Sequence, residues 1–322
     1  MSLAARLSIE DLSVQFRTRD GLVRAVERVG LAVGRGETVG LVGESGSGKT
    51  VTALAVMGLL PAAARVTGGR AVFEGRDLLV APEAVRREIR GRALSMIFQG
   101  PRTALNPIRP VGRQIEDVLV RHAGLGRASA RGRARDLLAR VEVADPARVA
   151  DAYPFELSGG MCQRVMIAIA VACAPALLIA DEPTTGLDVT TAAVILDLLK
   201  SLSSAHEMAT LLITHDLGVV AQRCDRIVVM HAGHVVETAP VAALFDHPRH
   251  PYTGRLIAST PRPGATLETL APIPGGVPDL RQPLPVCRYR MRCERAVPVC
   301  DVPPLPIAEP APGHLVACRF PA

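Results

Sequence analysis

Aromatic side chains are scarce in this sequence of 322 residues. Tryptophan is absent, and Phe, Tyr and Trp together make up 3% of the residues. Proteins that bind single-stranded nucleic acid without sequence preference stack the bases on several aromatic rings. The composition therefore argues against such a stacking surface, and we expect no nucleic-acid partner.

Long apolar runs are also missing. The longest, residues 165–180, has sixteen residues, whereas a membrane-spanning helix needs about 20. Pro175 divides this run, which predicts a core helix followed by a core strand. Residues 1–10 contain one Arg and no extended apolar segment, unlike a secretion signal. We therefore expect a cytosolic location.

The charge balance is modest, with a formal net charge of +6. Its main concentration is the stretch 121–140, which has six Arg and one Asp. Such a stretch is typical of the solvated face of two short helices. Contact with anionic headgroups or with acidic partner loops is the alternative.

A phosphate-binding loop is predicted at Gly43-Glu44-Ser45-Gly46-Ser47-Gly48-Lys49-Thr50, which fits the pattern Gly-x4-Gly-Lys-Ser/Thr. An apolar run, residues 38–42, precedes it, and a helical pattern, residues 51–60, follows it. Glycines allow backbone N–H groups to converge on phosphate oxygens, and the helix N-terminus adds partial positive charge. Lys49 supplies a full charge, and Thr50 offers a hydroxyl to Mg²⁺. This pattern predicts ATP and Mg²⁺ as ligands.

Two carboxylates follow a second buried strand. Residues 176–180 form an unbroken apolar run that leads into Asp181 and Glu182, as in a parallel strand buried on both faces. Asp181 is placed to hold Mg²⁺ through its water shell, and Glu182 to polarise the water that attacks the γ-phosphate.

A further motif, Leu157-Ser158-Gly159-Gly160-Met161-Cys162-Gln163-Arg164, resembles the signature sequence of the ABC ATPase family. Other family motifs occur in the same order. Gln99, after the strand-like residues 93–98, resembles the Q-loop, residues 185–188 resemble the D-loop, and His215 resembles the switch histidine. The sequence is therefore identified as a member of that family.

The resemblance implies a catalytic set and a dimer. Glu182 is the expected catalytic base, His215 holds the γ-phosphate and water in line, and Gln99 joins Thr50 and Asp181 around Mg²⁺. Contacts to an ATP held by the opposite subunit are expected from Ser158, Gly159, Gly160, Gln163 and Asp188. Ser158 also suits the N-cap of the following helix, which creates an anion site there. One chain would thus supply half of each of two sites.

The expected fold is α/β: an ABC-type P-loop nucleotide-binding domain with a RecA-like core, an antiparallel β layer and a helical signature arm. Residues 7–16 alternate apolar and polar, and residues 30–33 and 38–42 flank a turn, which predicts the antiparallel layer. Phe16 is a candidate for stacking on adenine, and a core role for it is equally open. We expect an ATPase domain at 1–260, with the arm at about 100–160, and a small Cys- and Pro-rich C-terminal module at 261–322.

The C-terminal region holds 14 of the 26 prolines and four of the seven cysteines. These cysteines, Cys287, Cys293, Cys300 and Cys318, are spaced Cys-x5-Cys-x6-Cys-x17-Cys. Disulfides are disfavoured in a cytosolic protein, so a metal centre is expected. The spacing alone leaves zinc and iron even, because thiolates suit both. The arginines nearby (Arg288, Arg290, Arg292, Arg295 and Arg319) would favour either negatively charged centre.

This region resembles the oligopeptide/dipeptide and nickel importer ATPase subunits, including residues 273–275 and 277–280. The resemblance implies a 4Fe-4S cluster on the four cysteines, with zinc as the alternative. It also implies an ATPase that powers import of peptides or similar small solutes. The implied partners are a second, identical or related ATPase, two transmembrane permease subunits and an extracytoplasmic solute-binding protein. The protein would then sit peripherally on the cytoplasmic face of the inner membrane.

Two other functions share the nucleotide motifs. A soluble ABC ATPase acting on nucleic acid or ribosomes would be expected to carry two cassettes, long coiled-coil insertions or zinc-finger insertions, and none is visible in the sequence. A motor gated by an iron–sulfur tail is the second alternative.

Overall fold

The computed structural model describes residues 5–260 and 272–322. The chain divides into two compact units. The strand-rich unit consists mainly of residues 7–33, 38–80, 212–260 and 272–322, and the helical unit mainly of residues 34–37 and 81–211. The predicted domain boundary at 260/261 borders on residues 261–271, which lie outside the described residues.

The strand-rich unit contains two groups of strands with short helices. Its elements are β1 (Ala5–Thr18), β2 (Gly21–Gly34), β3 (Thr38–Val42), α1 (Lys49–Met57), β4 (Ala64–Phe73), β5 (Arg76–Asp77), α9 (Leu217–Arg223), β9 (Arg226–His231), β10 (His234–Pro240), α10 (Val241–Asp246), α11 (Pro251–Ala258), β11 (Ala308–Ala311) and β12 (His314–Val316). Two short 3₁₀ turns, Arg290–Arg292 and Pro298–Asp301, lie in the C-terminal segment, residues 272–322.

An antiparallel layer forms in this unit, as the alternating pattern of residues 7–16 predicts. Its strand order is β2-β1-β4-β5, and β1 pairs antiparallel with β4 from Leu7 opposite Phe73 to Phe16 opposite Ala64. The prediction that residues 38–42 join this layer is wrong. β3 instead pairs parallel with β9, with Val42 opposite Val229. Four of its five residues are buried, which suits a parallel strand covered on both faces.

The core of the strand-rich unit includes residues from both ends of the sequence. Val42, the last residue of β3, belongs to the same apolar cluster as Tyr252 and Tyr289. Cys287 and Cys293 pack against that cluster. The C-terminal segment therefore packs on the core that supports the strand before the phosphate loop.

The helical unit contains most of the helices and three strands that are neighbours in one sheet. Its elements are α2 (Glu83–Ile89), β6 (Leu94–Ile97), α3 (Pro101–Ala104), α4 (Val111–Ala123), α5 (Arg127–Arg140), α6 (Pro146–Asp151), α7 (Gly159–Val171), β7 (Leu177–Asp181), α8 (Val189–His206) and β8 (Ala209–Ile213). β6 and β7 pair parallel, with Ile97 opposite Ala180.

The elements of this unit agree with the sequence patterns. Helices α4 and α5 occupy the Arg-rich stretch, and the apolar run 165–180 forms the end of α7 and most of β7, with Pro175 between them. Ile195, Leu199 and Leu202 of α8 are buried, so one face of this helix packs in the core. Within the part of the chain that the structure describes, every helix is too short or too polar to span a lipid bilayer.

Candidate nucleotide site

The predicted phosphate loop connects β3 to α1, and its lysine is held inside it. Lys49 is 6% exposed, and its Nζ donates to the carbonyl oxygens of Gly43 at 2.7 Å and Glu44 at 2.9 Å. These bonds keep the ammonium group over the loop. Thr50 follows in the first turn of α1, as the motif predicts.

Two glycines give the loop its curvature. Gly43 has a φ of +149°, and a Cβ built on it would lie 2.1 Å from the carbonyl oxygen of Met230. Gly48, the N-cap of α1, has a φ of +101°, and its Cβ would lie 2.8 Å from the carbonyl oxygen of Ala25. Both positions exclude side chains, because the backbone approaches closely and the φ values are ones that L-residues rarely adopt.

Glu44, the second residue of the loop, is held by two residues that the sequence does not associate with it. The Arg292 guanidinium donates to both of its carboxylate oxygens, at 2.7 and 3.0 Å. The backbone N–H of Glu44 donates to the Tyr252 hydroxyl at 3.0 Å. Burial alone would raise the pKa of Glu44, but the hydrogen bonds and charge of Arg292 outweigh it and lower the pKa below its ordinary value. Glu44 is therefore ionised near neutral pH.

A cluster of rings lies beneath these contacts. His231 lies 4.5 Å from Tyr252 with the two rings tilted by 45°, and it meets Tyr289 edge-on at 5.3 Å, measured between ring centroids. Burial lowers the pKa of His231 to about 4, and the positive charge of Arg292 acts in the same direction. His250, the N-cap of α11, accepts the Tyr252 N–H, and burial lowers its pKa to about 3. Both histidines are neutral at physiological pH.

The predicted catalytic carboxylate lies in the helical unit, one residue after β7. Glu182 has a φ of +48°. Its carboxylate accepts hydrogen bonds from the Gln99 amide at 2.9 Å and the Thr185 hydroxyl at 2.8 Å. Asp181, the last residue of β7, is 1% exposed. The structure thus brings Gln99 and Glu182 into direct contact.

The predicted signature and D-loop residues lie at two helix starts of the same unit. Ser158 is the N-cap of α7, as predicted, and its hydroxyl accepts the Met161 N–H at 3.3 Å. Ser158 is exposed, Gly159 and Gly160 are half-buried, and Gln163 is buried at 2% exposure. Asp188 caps α8, and its hydrogen bonds from the Thr191 backbone N–H and hydroxyl lower its pKa.

The other predicted residues lie in the strand-rich unit. His215 is exposed and immediately precedes Asp216, the N-cap of α9. Phe16 lies on β1 opposite Ala64 and is half-buried. These positions leave the roles of both residues as predictions.

The four C-terminal cysteines line one cavity, together with Arg290, Arg295 and Arg319. All four are reduced and half-buried, and burial raises the pKa of Cys287 to about 11. No group of three or more His, Cys, Asp or Glu side chains in residues 5–260 and 272–322 is arranged to hold a metal ion. The cluster prediction therefore has no geometric support.

Four of the five nearby arginines have other partners than a metal centre. Arg290 pairs with Asp301, and Arg319 donates to the carbonyls of Val302 and Pro304. Arg288 donates to the Ala232 carbonyl and the Glu27 carboxylate, and Arg292 donates to Glu44. Each of these two arginines thus already pairs with a carboxylate far away in sequence, and their contribution to a negatively charged centre stays a prediction. No signal local to residues 288–292 could have revealed those partners.

Comparison with known proteins assigns the family. Residues 26–185 match the ABC transporter family model, and residues 236–300 match the oligopeptide/dipeptide transporter C-terminal region. The chain is 48% identical to the probable peptide ABC transporter ATP-binding protein y4tR of Sinorhizobium fredii, over 97% of this chain and 94% of that protein. It is 46% identical to the dipeptide transport ATP-binding protein DppD of Escherichia coli, over 98% and 97% of the two chains.

Solved structures agree with this assignment. The ATP-binding cassette MJ0796, in a dimeric post-hydrolysis state bound to ADP and phosphate, is 27% identical with a TM-score of 0.67, over 73% of this chain and 98% of that one. A cassette of Clostridium perfringens, cbiO1, is 26% identical with a TM-score of 0.62, over 75% and 91% of the two chains. The fold and loops define an ABC-type ATPase. The chain belongs to the ATP-binding proteins of ABC transporters, and its C-terminal part matches the oligopeptide/dipeptide transporter region.

The backbone geometry of Gly43 generates a stability prediction. We expect Gly43→Ala to lower the free energy of unfolding by about 3 kcal/mol, because the methyl group collides with the Met230 carbonyl in a glycine-only conformation. Urea denaturation provides the measurement. Gly68→Ala is the control, since that exposed strand glycine has nothing within 4 Å of its built Cβ and should change stability by less than about 1 kcal/mol. Equal effects of the two substitutions would contradict the packing described here.

Burial of neutral His231 predicts an acid-sensitive fold. The pKa of His231 in the folded protein, about 4, lies below the ordinary histidine value of 6.5, so the unfolded chain takes up a proton first as pH falls. The stabilising contribution of neutral His231 is complete above pH 6.5. As the pH falls from there towards 4, the free energy of unfolding should decrease by up to about 1.4 kcal/mol per pH unit for this group. Urea denaturation at several pH values should show a shallower decrease for His231→Gln than for the wild type. Identical pH profiles would exclude the contribution of His231.

Proposed function

We propose that this ATPase powers the import of di- or oligopeptides, or similar small solutes, through a membrane ABC transporter. The observation that carries the proposal is similarity along almost the whole chain, 98% of it, to a dipeptide transport ATP-binding protein. The match of residues 236–300 to the oligopeptide/dipeptide transporter region supports it separately, because that region lies outside the nucleotide motifs.

In this proposal the phosphate loop, Gly43 to Thr50, binds the ATP phosphates, with Phe16 as a candidate for stacking on adenine. Mg²⁺ is held by Thr50, Gln99 and Asp181, since it prefers hard oxygen ligands and retains several waters. Glu182 acts as the base that orients the attacking water, and His215 keeps the γ-phosphate and water in line. The hydrogen bonds from Gln99 and Thr185 support this role, because they fix the Glu182 carboxylate.

The working unit in this proposal is a dimer of ATPase subunits. Ser158, Gly159, Gly160 and Asp188 form the surface that contacts ATP on the opposite subunit. The sequence also predicts this contact for Gln163, but Gln163 is only 2% exposed. The exposed Ser158 N-cap supports this arrangement, since N–H groups and the helix dipole favour an anion there. The similarity to a dimeric cassette of known structure supports it as well.

The proposed complex contains a second ATPase, two permease subunits and an extracytoplasmic solute-binding protein, and the chain lies on the cytoplasmic face of the membrane. We place the ATPase domain at 1–260, with its helical arm at about 100–160, and a C-terminal module at 261–322. No comparison supports action on nucleic acid or ribosomes, or redox gating. The ABC transporter match at residues 26–185 agrees with one cassette in this chain.

Replacement of the proposed base provides the functional test. Glu182→Gln should retain ATP binding, reduce ATP hydrolysis at least about 100-fold, and favour an ATP-bound dimer on gel filtration, because the amide cannot accept the proton. Glu207→Gln is the control, since Glu207 is exposed and also has a φ of +48°. Near-normal hydrolysis by Glu182→Gln, or full-rate hydrolysis by a strict monomer, would contradict the scheme.

We propose further that Cys287, Cys293, Cys300 and Cys318 bind a thiolate-ligated centre, a 4Fe-4S cluster or zinc. The chemistry of the side chains supports this proposal, because four thiols line one cavity with three arginines, although the described thiols are not arranged around a common metal position. When bound, the centre would link distant parts of a proline-rich segment that has little core of its own. The raised pKa of Cys287 means that binding must displace a proton from that thiol.

Anaerobic purification followed by metal and sulfide analysis tests the centre. Iron with an equal amount of acid-labile sulfide identifies a cluster, and zinc without sulfide identifies a zinc site. Cys293→Ser should lose the bound metal and lower the midpoint of thermal unfolding, whereas Cys173→Ser, outside the cavity, should retain the metal. Protein that contains neither metal would show the proposal to be wrong.

A further inference from the structure

The C-terminal segment reaches the phosphate loop through one ion pair. Arg292, in the 3₁₀ turn Arg290–Arg292, bonds Glu44 across 248 residues of sequence, with both Nη groups donating to the carboxylate. The Arg292 side chain is 4% exposed and that of Glu44 is 26% exposed. A bidentate pair with one buried member is more geometrically specific than a surface salt bridge.

The Arg292 head group is also fixed from a second side. Its Nε donates to the Pro274 carbonyl at 2.7 Å, and its guanidinium lies 5.8 Å from the centroid of the Tyr289 ring. These contacts hold the guanidinium where Glu44 needs it. The arrangement therefore does not depend on a freely rotating surface side chain.

The loop backbone at Glu44 is tied to the same region. The Tyr252 hydroxyl accepts the Glu44 N–H, and Tyr252 packs against Tyr289 with ring centroids 5.3 Å apart. Glu44 thus has its main chain held by Tyr252 and its carboxylate held by Arg292. Both contacts come from parts of the chain beyond the nucleotide motifs.

The charge of Glu44 is unfavourable in an anion-binding loop. A carboxylate beside a triphosphate repels it, and the repulsion is weakened only when a cation is paired with the carboxylate. We propose that Arg292 is a positioning residue of the nucleotide site, which neutralises Glu44 and turns its carboxylate away from the bound triphosphate. The inference rests on the proposed function of Gly43–Thr50 as the ATP-binding loop.

This role predicts an asymmetric double-mutant cycle. Arg292→Gln leaves an unpaired negative charge in the loop and should raise the Kd for ATP about five- to tenfold. Glu44→Gln removes that charge and should therefore weaken ATP binding less than Arg292→Gln does. The double variant should match Glu44→Gln, so that its Kd lies below that of Arg292→Gln. A purely structural pair would instead show losses in both single variants and no recovery in the double variant.

The experiment is calorimetric titration of the purified full-length chain with a non-hydrolysable ATP analogue. Arg290→Gln is the matched control, because Arg290 lies in the same 3₁₀ turn but pairs with Asp301 at 2.6 Å. It should leave the Kd unchanged. The defect of Arg292→Gln should shrink when the ionic strength rises from about 0.05 to about 0.5 M, since salt screens the repulsion. Thermal unfolding without nucleotide verifies that each variant is folded.

The outcomes separate this inference from the proposed function. Equal affinities of Arg292→Gln and the wild type, or equal defects in Arg292→Gln and the double variant, overturn it. If Arg292→Gln does not fold, the comparison uses Arg292→Met, which keeps the apolar stem without the charge, and the double variant Glu44→Gln with Arg292→Met. Equal Kd values of these two variants overturn the inference in the same way. Unaltered binding by Lys49→Ala would instead show that Gly43–Thr50 is not the ATP-binding loop.

Discussion

The close approach of the loop backbone to the end of β9 constrains the rest of the nucleotide site. Gly43 leaves 2.1 Å between a hypothetical Cβ and the Met230 carbonyl, so only glycine permits the strand to turn there. The turn directs the carbonyls of Gly43 and Glu44 towards Lys49 Nζ, which holds the ammonium group inside the loop. A cation positioned in advance loses little conformational entropy when an anion binds. The affinity of the loop thus begins with a packing constraint in the parallel strands.

The C-terminal segment extends this constraint to residues far from the motifs. Tyr289 belongs to the apolar cluster that also contains Val42, and Arg292 follows it by one 3₁₀ turn. Packing of that segment therefore fixes both the C-terminal end of β3 and the partner of Glu44. A region with few regular elements thereby contacts the phosphate loop, because the buried Arg292 donates two hydrogen bonds to Glu44.

Local patterns made much of the structure predictable. The phosphate loop, the Ser158 cap and the break at Pro175 depend on neighbouring residues, so the sequence indicates them directly. The pairing of β3 with β9 depends on burial of both faces, which a five-residue apolar run does not distinguish from an antiparallel strand. Burial of Gln163 likewise depends on what surrounds α7. The contacts of Arg288 and Arg292 join residues more than 240 positions apart, and an arginine beside cysteines carries no local mark of a distant carboxylate.

The contact between Gln99 and Glu182 connects the chemistry proposed for the helical unit with its arm. Gln99 lies between β6 and the helices α3 to α6, and its amide bonds the carboxylate proposed as the base. On the proposed roles the same amide group must also serve Mg²⁺ through its oxygen, while its nitrogen remains on Glu182. A side-chain amide can do both at once, because its oxygen accepts and its nitrogen donates. Nucleotide arrival therefore need not break this hydrogen bond, and the position of the arm would respond to the metal through a single side chain that already touches the base.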